Sequence, residues 1–327
     1  MHSLTEELDR LPRAGLGIFP TPLCRLSGFT EPLYIKRDDL SGLGPGGNKL
    51  RSLEFLLGEA LEKKRDLVIV SGPGQSNLCT LTAVSCAKLG LPCLLIHNCA
   101  VPETFSGNLL LNRLAGAESV FLGNISAEER RVRERDYAAE AEAGGRKPFL
   151  ITNGASTGLG ALGYAAAAAE LAAQRNGGIP VNALFVPGGN GGVAAGLAYG
   201  NAFLEKPFRL FIISVEDEAA LLRQNMERII AEAETITGLP LPSPLDEHCE
   251  ILDGYRGEGW GINTPESEAA VIDFPRREGI FIENIYTSKT AAAMMDCVRR
   301  GKTGGGACYL HTGGFGSLFA QEFTGLA

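Results

Sequence analysis

Short apolar runs recur along this chain, separated by longer amphipathic or alanine-rich stretches, and that alternation restricts the fold more than any other feature. LVIVS (67–71), CLLIH (93–97), SVFL (119–122), ALFVP (183–187) and LFIISV (210–215) are β-rich, and several are apolar on both faces. Strands read this way when helices cover both sides of a parallel sheet. Parallel neighbours need crossover connections, and the stretches between these runs, AAAAAELAA among them, are long enough to be helices. An α/β fold with parallel sheets flanked by helices follows. At 327 residues the chain exceeds what one compact core usually holds, so two lobes with a cleft between them are expected.

The net charge of -8 is spread along the chain without a basic run, which argues against nucleic acid or an anionic membrane as partner. The opening MHSLTEELDR is acidic where a signal peptide is basic, and no apolar run approaches the ~18 residues of a membrane span. A cytosolic location is expected. The eight cysteines are scattered and form no C-x-x-C pair, and His2, His97, His248 and His311 show no ligand spacing. Reduced, mostly buried thiols and no structural metal are expected.

Two glycine-rich turns precede helix-like segments: SGLGPGGNK before LRSLEFLLGEALEKK, and PGGNGG before VAAGLAYGNAFL. In the first, Lys49 opens its helix, where the positive end of the helix dipole disfavours an ammonium and so lowers its pKa, as a Schiff-base amine requires. A surface lysine after a flexible loop fits the same residues. In the second, Gly189, Asn190, Gly191 and Gly192 can present backbone N–H groups to a phosphate. That loop also fits G-x-G-x-x-A, and Glu216 ends the next strand, where an acid about 20 residues on would hold a ribose. A nicotinamide-dependent oxidoreductase is therefore a rival. Gln75-Ser76-Asn77 begins the helix after LVIVS, with Ser76 placed as an N-cap. Tyr286 and Thr287 begin another helix, and Thr312 follows the strand-like run ACYLH. Residues 237–265 are rich in proline and glycine and are expected to form a long loop.

The order of these elements carries a resemblance. IKRDDLSGLGPGGNKLRSLEFLL, GQSN, GNLLLNRLAGAE, GLGALGY, YTSKT and LHTGGFGSLFA resemble, in sequence order and across nearly the whole chain, the D-cysteine desulfhydrase and 1-aminocyclopropane-1-carboxylate deaminase family. That resemblance implies the two-lobed fold type II pyridoxal-phosphate architecture, similar to the tryptophan synthase β chain. A small lobe of residues 52–160 would pack on a large cofactor-binding lobe of residues 1–51 and 161–327, in a homodimer. It implies pyridoxal 5'-phosphate on Lys49, which would also move the substrate proton. Asn77 would meet the cofactor's phenolic oxygen, and Ser76 would meet the substrate carboxylate or shuttle a proton, with Gln75 beside them. Gly189 to Gly192 would hold the phosphate, Tyr286 would line the substrate face, and Thr287 or Thr312 would approach the pyridine nitrogen.

A neutral hydroxyl there leaves the ring a weaker electron sink than a carboxylate would, which favours prompt loss of a β-substituent. The resemblance associates a glutamate after the tyrosine with cyclopropane-opening members, whereas this chain has Thr287. α,β-Elimination from a small, D-cysteine-like amino acid to keto acid and ammonia is therefore expected. The chain departs from the family at several points. Trp260 stands where a second tyrosine is usual, with Tyr255 as an alternative occupant. Asn190 and Val193 replace hydroxyl residues, Leu78, Cys79 and Thr80 follow GQSN, and Asn153 to Ser156 replace a proline-glycine turn. A non-catalytic binder of the cofactor or of amino acids is the second rival.

Overall fold

The structure is a computed structural model that describes residues 3–320. Met1 and His2, which belong to the opening segment and the histidines considered above, lie outside the described residues. Ten strands form two sheets among the described residues. The strands are β1 (Leu23–Arg25), β2 (Leu33–Arg37), β3 (Leu67–Gly72), β4 (Cys93–His97), β5 (Glu118–Phe121), β6 (Pro148–Ile151), β7 (Ala183–Gly188), β8 (Arg209–Ser214), β9 (Cys249–Leu252) and β10 (Ala307–His311). The helices are α1 (Leu4–Arg10), α2 (Lys49–Glu62), α3 (Asn77–Leu89), α4 (Gly107–Leu114), α5 (Ala127–Ala143), α6 (Gly158–Asn176), α7 (Gly192–Phe203), α8 (Ala219–Thr237), α9 (Pro265–Glu278), α10 (Thr287–Arg299) and α11 (Phe315–Leu318).

The six-stranded sheet has the order β1-β2-β10-β7-β8-β9, parallel except for the edge strand β1. The four-stranded sheet, β5-β4-β3-β6, is parallel throughout and is built from residues 67–151. Each large-sheet strand divides its side chains by the period of two: Leu184, Val186, Leu210 and Ile212 face the core with α6, α7 and α8, whereas Phe185, Phe211 and Ile213 face α9 and α10. Burial on both faces explains why these strands read as unbroken apolar runs.

α2 connects the two sheets, carrying buried residues all round, and glycines let its neighbours come close. A Cβ at Gly163 of α6 would lie 2.2 Å from the Arg51 carbonyl oxygen. Just inside α2, the Arg51 guanidinium bonds Asp38 at 2.8 Å and Glu170 at 2.9–3.0 Å, and Tyr164 donates to Asp38 at 2.6 Å. Burial pushes the Asp38 carboxyl up, but Arg51 outweighs it and holds it below the usual carboxylate range. This charge-assisted network sets the position of the turn that bears Lys49.

Two expectations need correction. Residues 237–265 are not loop throughout, because β9 pairs in parallel with β8 inside them. β1, β2 and β6 were also absent from the expected strands. All eight cysteines are free, and among the described residues no helix is long and apolar enough to cross a membrane.

Candidate active site

Binding crevices of parallel sheets open at the carboxyl ends of the strands. Here the turns after β3, β6, β7 and β10 converge with the start of α2 on one cavity of about 210 Å³. Lys49, Gln75, Ser76, Asn77, Gly189, Asn190, Gly191, Gly192, Trp260, Tyr286 and Thr312 all line it. Thr287, Glu216 and Tyr255 do not.

Lys49 is the first residue of α2, and its Nζ donates to the Gly154 carbonyl at 2.7 Å. Lys49 lines the cavity, and burial brings its pKa down to about 8. A substantial neutral fraction therefore exists near physiological pH. The other buried lysines are already engaged. Lys36 bonds the Thr21 carbonyl, Glu170 and Gln174, and Lys289 bonds three backbone carbonyls.

Across the cavity, α7 begins at Gly192 with Gly191 as its N-cap, at φ +89°, and no side chain caps the helix. Its first N–H groups carry partial positive charge and suit an anion such as a phosphate. The glycines sit close to their neighbours: a Cβ at Gly192 would lie 2.8 Å from Ser156 Oγ, so something would have to shift, and one at Gly189 would lie 3.2 Å from the Tyr286 ring. Asn190 donates to the Asn153 carbonyl at 3.4 Å, linking this loop to the turn after β6.

Ser76 is both the N-cap of α3, accepting from the Cys79 N–H at 3.3 Å, and part of the cavity wall. Asn108 orders the residues around it. Its amide donates to the Gln75 carbonyl at 2.9 Å and to Asn77 Oδ1 at 2.8 Å, while its N–H donates to Gln75 Oε1. With its oxygen held, Asn77 presents its amide N–H groups as donors. The Gln75 side chain is engaged with the 106–108 segment. Arg130, on α5, adds a second cation to the wall and donates to Ser71 Oγ at 3.2 Å.

Glu283 was not anticipated from the sequence. Its carboxylate accepts from the N–H groups of Ile285, Tyr286 and Thr287 at 2.7–2.9 Å, and from the Thr287 hydroxyl at 3.0 Å. It thus caps the start of α10 and places Tyr286. Burial raises its pKa despite these donors. Thr287 is fully buried and its hydroxyl is committed to Glu283, whereas Thr312 lines the cavity. Burial also pushes the Tyr286 phenol up, so it stays protonated. Trp260 Nε1 donates to Tyr286 Oη at 2.9 Å. Tyr255 bonds Asp296 at 2.6 Å instead of reaching the cavity, so it does not occupy the place left by the family's second tyrosine. GNLLLNRLAGAE and YTSKT contained the clue to Asn108 and to the start of α10, but the roles of Asn108 and Glu283 emerge only through their partners.

The family described as pyridoxal-phosphate dependent enzyme matches residues 15–313. A putative 1-aminocyclopropane-1-carboxylate deaminase of Pyrococcus horikoshii is 34% identical, covering 95% of this chain and 94% of that one. A D-cysteine desulfhydrase of Yersinia pestis is also 34% identical, covering 98% and 99%. Among solved structures, an ACC deaminase homologue is 33% identical with a TM-score of 0.89, over 98% of this chain and 97% of that one.

Proposed function

Because the chain belongs to the pyridoxal-phosphate-dependent enzymes, we propose that it carries its cofactor on Lys49 and catalyses α,β-elimination on a small, D-cysteine-like amino acid, giving keto acid and ammonia. Family membership displaces the nicotinamide-dependent alternative for the 187–192 loop. The observation that carries the proposal is the convergence on one cavity of a lysine amine with a pKa of about 8, an uncapped glycine-rich helix start, Ser76 and Tyr286.

The residues present fit the cofactor. The N–H groups opening α7 would take its phosphate, Asn77 its phenolic oxygen, and Thr312 its pyridine nitrogen. Thr287 is displaced from that last role by its bonds to Glu283. Pyridoxal phosphate, when bound, supplies the electron sink that makes an amino acid's α-proton removable. Lys49 Nζ then takes that proton, its lowered pKa leaving more of the amine neutral and free to accept one. Ser76 and the start of α3 hold the carboxylate, with Arg130 adding attraction. Tyr286 Oη, protonated and facing the cavity, directs a proton towards the departing β-substituent, and Trp260 limits water access above it. A neutral threonine at the pyridine nitrogen favours rapid loss of that substituent over storage of charge. We place the enzyme in the cytosol as a homodimer, in keeping with its unpaired cysteines and its family.

Keto-acid release from D- and L-cysteine, β-chloroalanine, serine, cysteate and 1-aminocyclopropane-1-carboxylate tests this proposal. Release from D-cysteine with sulfide and ammonia is expected. Release from the cyclopropane alone would replace elimination with ring opening, and a Schiff-base absorbance band without any product would make the protein a binder.

A further inference from the structure

Lys289 is 1% exposed, yet among the described residues no carboxylate forms an ion pair with it. Its Nζ donates to the carbonyls of Arg256 at 2.6 Å and Gly259 at 2.8 Å, and more loosely to that of Val215 at 3.5 Å. An ammonium has three donors, and here all three meet backbone. Desolvating a charge is unfavourable, and an apolar side chain of equal length would fill the same space without it. What the ammonium adds is a connection between α10, the residue after β8, and the segment carrying Trp260.

That segment has little rigidity of its own. Gly257, Gly259 and Gly261 are all in the left-handed region, and its backbone bonds are limited to Arg256 N–H to Asp253 at 3.1 Å and Ile262 N–H to Gly259 at 3.4 Å. Trp260 is 42% exposed, so packing alone does not hold it. Its indole nevertheless meets Tyr286 Oη, one helical step before Lys289's own turn. A phenol oxygen that accepts the indole N–H must turn its own hydrogen elsewhere, and Tyr286 lines the cavity.

We propose that Lys289 is a positioning residue for the substrate face: it clamps the 256–259 backbone, sets Trp260 against Tyr286, and so orients the Tyr286 proton into the cavity. This rests on the proposed function only in taking the cavity as the substrate site.

Trp260 is the chain's single tryptophan, so intrinsic fluorescence of the holoenzyme reports directly on the clamp and needs no turnover. Lys289→Met should shift the emission to the red, raise acrylamide quenching, and add fast local motion to the anisotropy decay. It should also raise KM for the amino acid turned over by roughly tenfold, the scale of one charge-assisted hydrogen bond, with a smaller change in kcat. Lys289→Arg, which keeps the donors, should restore part of the quenching protection. A folded Lys289→Met with unchanged emission, quenching and KM would overturn the proposal. If that variant does not fold, the wild type decides: an indole that rotates with the whole protein supports the clamp, and one with large fast local motion refutes it. Absence of turnover on every amino acid would sink the elimination reading while leaving the fluorescence outcome intact.

Discussion

Gly191→Val probes the anion cradle most directly. Gly191 has φ +89° and ψ -10° at the start of α7, a region where an L-residue is disfavoured by about 1–2 kcal/mol and a β-branched one more strongly. Its added Cβ would also lie 3.3 Å from Met226 Cγ and 3.5 Å from the Met226 backbone nitrogen, and valine's branches extend further into that core, where overpacking costs about 1–3 kcal/mol. The sum is about 2–5 kcal/mol. Without ligand the loop can relieve this strain by relaxing away from its cradle geometry, and cofactor binding must then reverse the relaxation. The Kd for pyridoxal phosphate should therefore rise roughly thirty- to several-thousand-fold, read by titrating apoprotein while following the Schiff-base band. Gly191→Ala, with the backbone penalty but without the branches, should show about a tenfold rise. An apoprotein that melts like wild type and binds the cofactor with unchanged affinity would refute the assignment of this loop to the phosphate.

Lys49→Ala should remove the Schiff-base band, and borohydride reduction of wild type should label Lys49 and neither Lys36 nor Lys289. Because burial lowers the Lys49 pKa to about 8, the reactive neutral amine grows as pH rises. Capture of added cofactor by apoprotein should accelerate through about pH 8 and level off above it, and a flat profile between pH 7 and 9 would count against this environment. Glu283→Ala leaves one buried and two half-buried N–H groups without their acceptor, while the Thr287 hydroxyl keeps the backbone carbonyl of residue 283. Denaturant titration should show a loss of about 3 kcal/mol, combining a missing cap with unsatisfied donors, together with weaker catalysis from a displaced Tyr286. Trp260→Tyr should raise D-cysteine turnover or reorder the substrate preference, since one catalytic hydrogen bond is worth on the order of 100-fold in rate. Unchanged kinetics in both respects would reduce Trp260 to packing.

The runs 67–71, 93–97, 183–187 and 210–215 were legible because both faces of those strands are buried, and burial on both faces leaves an uninterrupted apolar signature. The positions of Lys49 and the Gly189–Gly192 loop at helix starts were legible for a related local reason, since the neighbouring residues dictate where a helix begins. β2 was not legible, because the buried Lys36 breaks its apolar run and becomes tolerable only when Glu170, 134 residues later, arrives beside it. β9 was hidden in a proline- and glycine-rich stretch and exists because β8 offers it an edge. That Thr312 lines the cavity while Thr287 bonds Glu283, that Asn108 bonds Asn77, that Tyr255 bonds Asp296 and that Lys289 bonds three backbone carbonyls were likewise decided in three dimensions. Apart from the Thr287–Glu283 pair, which is four residues apart, each depends on which polar group meets which across long separations in the chain. Periodicity records which side of an element is buried, whereas the pairing of buried polar groups is determined only when the two sheets and α2 come together.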